Sequence, residues 1–161
     1  MEELFLILQK YQSKLEATNL NPYGTCYLAG PCIAEYLRTI GISARDVTGS
    51  LTLRDKHGKE IIYGKSKPSS RNIGMYHTWC EASLDGTNYL LDASLKYNKV
   101  YLKKYLGTKI KIANQVPDIL VTEKRKTYWW NYKEDKSLIS VSQSYLRTCS
   151  SHLVHYLSQL E

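Results

Sequence analysis

At 161 residues the chain is about one domain's length, long enough to bury roughly two-thirds of the surface its unfolded form exposes, and it is read as a single domain over 1–161. A composition of 43% hydrophobic and 23% charged residues excludes a disordered or fibrous chain. The net charge is +7, but Lys and Arg are scattered, with short knots only at Lys103-Lys104 and Glu123-Lys124-Arg125-Lys126. Without a run of six like charges or a known nucleic-acid module, this basicity describes solvated faces and implies no specific nucleic-acid partner.

Residues 3–18 place Leu4, Leu8, Tyr11 and Leu15 at helical spacing, and Asn19-Leu20-Asn21-Pro22-Tyr23-Gly24 then reads as a turn. The acidic Met1-Glu2-Glu3 start and the short apolar run Leu4–Leu8 fit neither a secretory signal nor a transmembrane segment. A second helix is expected over Thr25–Ile40, with Gly41 at its C-terminal cap and Cys26 at its N-terminal edge. The period then changes to two over Ile42–Leu53 and, beyond the turn Asp55-Lys56-His57-Gly58, over Glu60–Tyr63, which is the pattern of a β-hairpin. Gly64–Gly74 is polar and reads as a loop.

Met75–Leu84 and Thr87–Ala93 flank Asp85-Gly86, a dipeptide suited to a type I′ hairpin turn because both central residues need positive φ. Such a turn pairs residues whose numbers sum to 171, so His77 falls within about one pair of directly opposite Asp92. In the second half, Lys109–Ile112 and Ile119–Thr122 are expected as short strands. Thr127–Tyr132 and Leu138–Val141 bracket a turn at Lys133–Lys136, and Ser142–Leu160 has the stripe of one amphipathic helix. This half, from about Asn98, is expected to shape a substrate cleft, with one of Trp129 and Trp130 lining it and the other in the core.

Four cysteines, at 26, 32, 80 and 149, lack a CxxC pair or a Cys/His cluster, so no metal and no cofactor are expected. Free thiols in a reducing cytoplasm are the corresponding expectation. Cys26, His77 and Asp92 are the parts of a nucleophile, its base and the group that orients the base. A thiol at a helix N-terminus beside an imidazole is biased toward the thiolate, and a carboxylate on the neighbouring strand holds the other ring nitrogen. Cys32 is the rival thiol, because Pro31 suits a helix's first turn and a later helix start would give Cys32 the dipole. In the plainer alternative Cys26 is a small buried hydrophobe and Asp92 only ends a strand. The backbone N–H of Cys26 is the natural first oxyanion donor, with Asn21 or Tyr23 as side-chain candidates for the second. Trp79 shares a face with His77 and reads as core or pocket wall.

Four blocks carry a family resemblance: Gly24-Thr25-Cys26; Leu37-Arg38-Thr39-Ile40-Gly41-Ile42-Ser43-Ala44-Arg45-Asp46-Val47-Thr48-Gly49; His77-Thr78-Trp79-Cys80-Glu81; and Tyr89-Leu90-Leu91-Asp92. In order and spacing they resemble the core of the transglutaminase-like superfamily, over roughly residues 23–95. Pro31 is the departure from its pattern, since it should kink or delay the nucleophile helix.

The resemblance implies an α+β, papain-like fold: a nucleophile helix packed on an antiparallel sheet, here with N- and C-terminal helices added. It also implies a cysteine-dependent peptidase or amidase acting through a thioester on a protein or peptide substrate, with Cys26, His77 and Asp92 as the catalytic residues. An acyltransferase or deamidase on the same triad is the alternative, and a catalytically silent protein-binding module with a basic, Tyr-rich surface is a third.

Overall fold

A computed structural model describes residues 1–55, 57–65, 71–106 and 116–161. Lys56 of the first expected turn, part of the Gly64–Gly74 loop and the expected strand Lys109–Ile112 lie outside the described residues.

Helix α1 (Glu2–Glu16) turns Leu4, Ile7, Leu8, Tyr11 and Leu15 inward, the i, i+3, i+4 rows that a helix needs to bury one stripe. Helix α2 (Cys26–Thr39) is one residue shorter at each end than expected, with Thr25 and Ile40 as its caps and Cys26 at its N-terminal edge. Pro31 lies inside it without ending it, leaving the carbonyl of Tyr27 without its helical donor. Strand β1 (Ser43–Arg54) follows, then β2 (Glu60–Tyr63), β3 (Arg71–Gly74), β4 (His77–Leu84) and β5 (Thr87–Asp92). Helix α3 (Leu95–Leu106) leads on to β6 (Leu120–Thr122) and β7 (Trp130–Glu134). A 3₁₀ turn at Lys136–Leu138 precedes α4 (Ile139–Leu146) and α5 (Ser151–Leu157).

The seven strands form one mixed sheet. β1 is long enough for three partners: β4 along Ser43–Gly49, β2 along Leu51–Arg54, and β7 along Gly49–Leu53. Gly49 faces His77 on one side and Glu134 on the other, so β7 flanks the edge of β1 opposite to β4. The β4–β5 hairpin keeps the register expected from its turn, Leu84 opposite Thr87 and Cys80 opposite Leu91, with both Asp85 and Gly86 at positive φ. β2 and β3 pair in parallel, and the rest of the sheet is antiparallel.

Because side chains alternate along β4, the sheet has two cores. Cys80 and Ala82 pack with α1, α2 and Leu157 of α5, while Trp79 packs with Leu51, Leu53 and Tyr132 and with Leu95 and Leu102 of α3.

Four expectations are corrected. Gly64–Gly74 is not all loop, since β3 occupies its end and gains backbone hydrogen bonds from β2. Leu138–Val141 is helical rather than extended, because Asp135 accepts from Ser137 N and turns the chain into the 3₁₀ segment. The expected helix Ser142–Leu160 is two helices: Ser150 is extended, with ψ 147, and its side chain accepts from Leu153 N as the cap of α5. A serine hydroxyl competes with the backbone in this way, and here it wins over the continuous apolar stripe. Finally, α3 was not anticipated, because its buried Leu95 and Leu102 stand seven residues apart among lysines.

Helix α2 meets β4 through Gly30. A methyl group there would lie 2.7 Å from Thr78 Cγ2 and 2.8 Å from the backbone oxygen of Trp79. The threonine methyl can rotate away; the strand carbonyl cannot. Gly30→Ala is therefore expected to destabilise by about 1–3 kcal/mol, overriding the ~1 kcal/mol that alanine gains in helix propensity. A urea unfolding midpoint equal to or above that of the parent protein would contradict this packing.

Candidate active site

The chain reaches Cys26 through a tight approach. Gly24 takes φ 75, a left-handed conformation that a side chain would strain. Thr25 turns its hydroxyl back to the carbonyl of Pro22 at 2.6 Å instead of capping α2. No acidic residue follows in the first turn, so the N-terminal N–H groups beside Cys26 have no side-chain acceptor. Cys26 itself is buried with Tyr76 and Leu138.

His77 opens β4 and Asp92 closes β5. The hairpin register makes them diagonal neighbours on one face, and their side chains close the remaining gap: His77 Nε2 donates to Asp92 Oδ2 at 2.6 Å. Asp92 is 1% exposed, and four donors surround its carboxylate. The hydroxyl of Tyr132 donates to Oδ2 at 2.7 Å, and Ser94 donates to Oδ1 from both its backbone N–H (2.9 Å) and its hydroxyl (2.7 Å). The Ser94 carbonyl then accepts the first bonds of α3, from Tyr97 and Asn98. Gln12 of α1 pins the intervening residue by donating to the carbonyl of Ala93 at 2.8 Å.

The electrostatics follow from this burial. Desolvation pulls the pKa of His77 down, but the charge and hydrogen bond of Asp92, with a smaller contribution from Cys26, override it and raise the pKa from 6.5 to about 10. Desolvation pushes Asp92 the other way, yet His77 and Ser94 hold its carboxyl below the ordinary value. Tyr132 is raised well above its ordinary value by burial and then by the charge of Asp92, so it remains a neutral donor.

With Nε2 committed, His77 Nδ1 is left buried and without a hydrogen bond. The thiol of Cys26 also acts on the ring, raising its pKa. Cys26 and His77 border a cavity of about 300 Å³, whose other walls include Gly24, Ile73, Met75, Tyr76, Asn98 and Tyr145. Apart from His77, no formally charged side chain is among its described lining residues. The Tyr145 ring stacks between Tyr76 and Tyr27, at centroid distances of 6.0 and 5.7 Å, and stiffens one wall.

Cys32 is on another face of α2, fully buried in the core formed with α1, and its thiol points to the carbonyl of Val154 at 3.8 Å. Burial raises its pKa from 9.0 to about 11. Cys80 is likewise raised by burial, and all four cysteines are free. The structure thus brings Cys26, His77 and Asp92 together and leaves Cys32 apart.

Tyr23 is exposed, Asn21 accepts from the Tyr23 N–H at 3.1 Å, and neither borders the cavity. Trp79 backs the His77 ring at 6.3 Å but is not part of the cavity wall. Trp129 and Trp130 pack edge to face at 4.2 Å and line a different depression, beside Arg54 and Lys126. Sequence reasoning missed Tyr132, Ser94 and Asn98 as site residues. For Ser94 a signal existed, since Asp-x-Ser is an Asx-turn pattern that directs a carboxylate onto the backbone two residues on. Tyr132 had none, because nothing local says that β7 returns beside His77.

Among the described residues, no group of three or more His, Cys, Asp and Glu is arranged to hold a metal, and no helix is long and apolar enough to cross a membrane. No family model matches the chain, and no curated protein matches it. A solved structure that does match is the crystal structure of genomics APC5867, with a TM-score of 0.58 at 14% identity over 98% of this chain and 75% of that one. At that identity the likeness bears on fold alone, and the fold is α+β, a mixed sheet with flanking helices.

The raised pKa of His77 has a sign that can be checked. Its native value exceeds the unfolded one, so the stability it contributes is fully present below about pH 6.5 and is lost as the pH rises through about 10. Asp92→Asn removes the charge responsible, leaving burial to dominate. The ring should then titrate below 6.5. NMR of the His77 ring protons against pH measures this directly, and an unchanged titration in the variant would mean that Asp92 does not hold the imidazolium.

Proposed function

We propose that the chain is a transglutaminase-like cysteine enzyme with a papain-like core, hydrolysing an amide bond in a protein or peptide through a thioester. The observation that carries this reading is the division of labour at His77: Nε2 is bound to the buried Asp92, and Nδ1 is left bare beside Cys26 in a cavity. A structural histidine would have both nitrogens satisfied. Here one stands beside a thiol, where the ring can hold the proton that Cys26 gives up.

In the reaction, with the thiol proton held on His77 Nδ1, Cys26 sulfur bonds to the substrate carbonyl carbon and the C=O electron pair moves onto oxygen. Collapse of this tetrahedral species restores the carbonyl and expels the amine, which takes a proton from the His77 imidazolium. Water then adds to the thioester as His77 accepts its proton, and the carboxylic acid leaves with the thiol restored. Asp92 keeps the ring in place throughout and stabilises its charged form. The uncharged cavity wall suits a neutral acyl group. An amine in place of water would make the enzyme an acyltransferase, and a side-chain carboxamide as substrate would make it a deamidase.

Under limiting iodoacetamide at neutral pH, peptide mapping should place the adduct on Cys26 ahead of Cys32, Cys80 and Cys149, and His77→Ala should slow that labelling. Cys26→Ala should abolish hydrolysis of p-nitrophenyl acetate, and His77→Ala should reduce it by about 10²–10⁴-fold. Labelling of Cys32 or Cys149 with Cys26 untouched would remove the nucleophile from this reading.

A further inference from the structure

A second buried nitrogen without a hydrogen bond borders the same cavity. Asn98 is 5% exposed and lies in the first turn of α3, and its side-chain Nδ2 has no partner among the described residues. It lines the cavity with Cys26 and His77. A buried amide donor left unpaired is costly, and native structures keep such a group where a ligand supplies the acceptor. We infer that Asn98 is a further catalytic residue, donating from its side-chain amide to the carbonyl oxygen of the substrate as charge develops there.

The inference rests on the cysteine acyl-enzyme reading above. In it the oxyanion has two donors of different origin, the uncapped backbone N–H at the start of α2 and the Asn98 amide arriving from the start of α3. The placement of Asn98 is tied to the base. Its backbone N–H bonds to the Ser94 carbonyl at 3.1 Å, and Ser94 is held by the Asp92 carboxylate that orients His77. A neutral amide is suited to the task because it binds a carbonyl weakly and an oxyanion strongly, which favours the transition state over the ground state. This side-chain donor replaces the candidates upstream of the nucleophile, since Asn21 and Tyr23 do not border the cavity.

Two reagents separate the role of Asn98 from that of the thiol. p-Nitrophenyl acetate acylates a cysteine through a tetrahedral oxyanion: the carbon–sulfur bond forms, the carbonyl electron pair moves to oxygen and returns, and p-nitrophenolate leaves. Iodoacetamide alkylates the same sulfur by displacing iodide at a saturated carbon, and no oxyanion forms. Asn98→Ala should slow acylation of Cys26 by about 10²-fold, the usual cost of one lost oxyanion donor, while alkylation stays within about twofold of the parent rate. Asn98→Leu, which is close in size, uncharged and without a donor, should show the same split and carries the test if the alanine variant does not fold.

Equal slowing of both reagents would make Asn98 a support of the thiol or the fold and overturn the inference. Unchanged acylation would overturn it too, as would loss of the native circular dichroism in both variants. Failure of the parent protein to react at Cys26 with either reagent would remove the cysteine reading itself and this one with it. A parent protein that reacts with both, beside variants that lose neither, removes the role of Asn98 alone.

Discussion

A carboxylate cut off from water keeps its charge only if its lone pairs are occupied by donors, and Asp92 meets that condition with donors from three other elements at once. The donors are His77 on β4, Tyr132 on β7 and Ser94 at the start of α3, arranged around the end of β5. Removing one partner from a buried charged pair typically costs ~3–5 kcal/mol, so strand, returning strand and helix are held to one geometry by a shared oxygen pair. Gln12 adds the N-terminal helix by fixing Ala93. The position of His77 relative to α2 is thus a consequence of how Asp92 is satisfied.

That anchorage sits on one side of the sheet, whereas α2 packs on the other. Thr78, Cys80 and Ala82 alternate with His77 and Trp79 along β4, so α2 presses on the strand face opposite to the one that carries His77. Cys26 meets His77 only because both stand at the ends of their elements, where the helix start and the strand start come together. Gly30 sets the depth of that approach through its contact with the backbone of β4. Pro31 tightens no part of it. Its lost hydrogen bond falls in a helix whose buried face, from Leu28 to Leu37, supplies the stabilisation that a single missing bond removes.

The charged surface is organised separately from the site. Glu81 of β4 holds Arg45 and Arg125, each at 2.8 Å, and Arg45 reaches Glu134 at 3.0 Å. These exposed pairs contribute little individually, but they keep opposite charges together on a chain of net charge +7. Apart from His77, the described walls of the cavity beside Cys26 carry no formal charge.

Legibility in the sequence divides along the range of the interaction concerned. Asp85-Gly86 needs two positive φ values and so determines its own hairpin register, which in turn brings His77 and Asp92 within diagonal reach by counting alone. The first turn of α2 and the alternation of β1 are equally local. In contrast, Cys26 and Cys32 have the same local claim to a helix N-terminus, and only packing shows that one thiol faces the cavity and the other the core. The break at Ser150 was hidden because a hydroxyl cap and a continuous apolar stripe were both written into the same stretch, and the contest was settled by docking α5 against α2. Tyr132 and Asn98 carry no local mark at all. By itself the sequence determined that Cys26 starts a helix and that His77 and Asp92 stand on the two arms of one hairpin, because turn dihedrals and side-chain periodicity act over a few residues. Tertiary structure decided which thiol shares a cavity with His77 and which distant donors complete the Asp92 carboxylate, because a buried charge is satisfied by whatever the fold brings within hydrogen-bond reach.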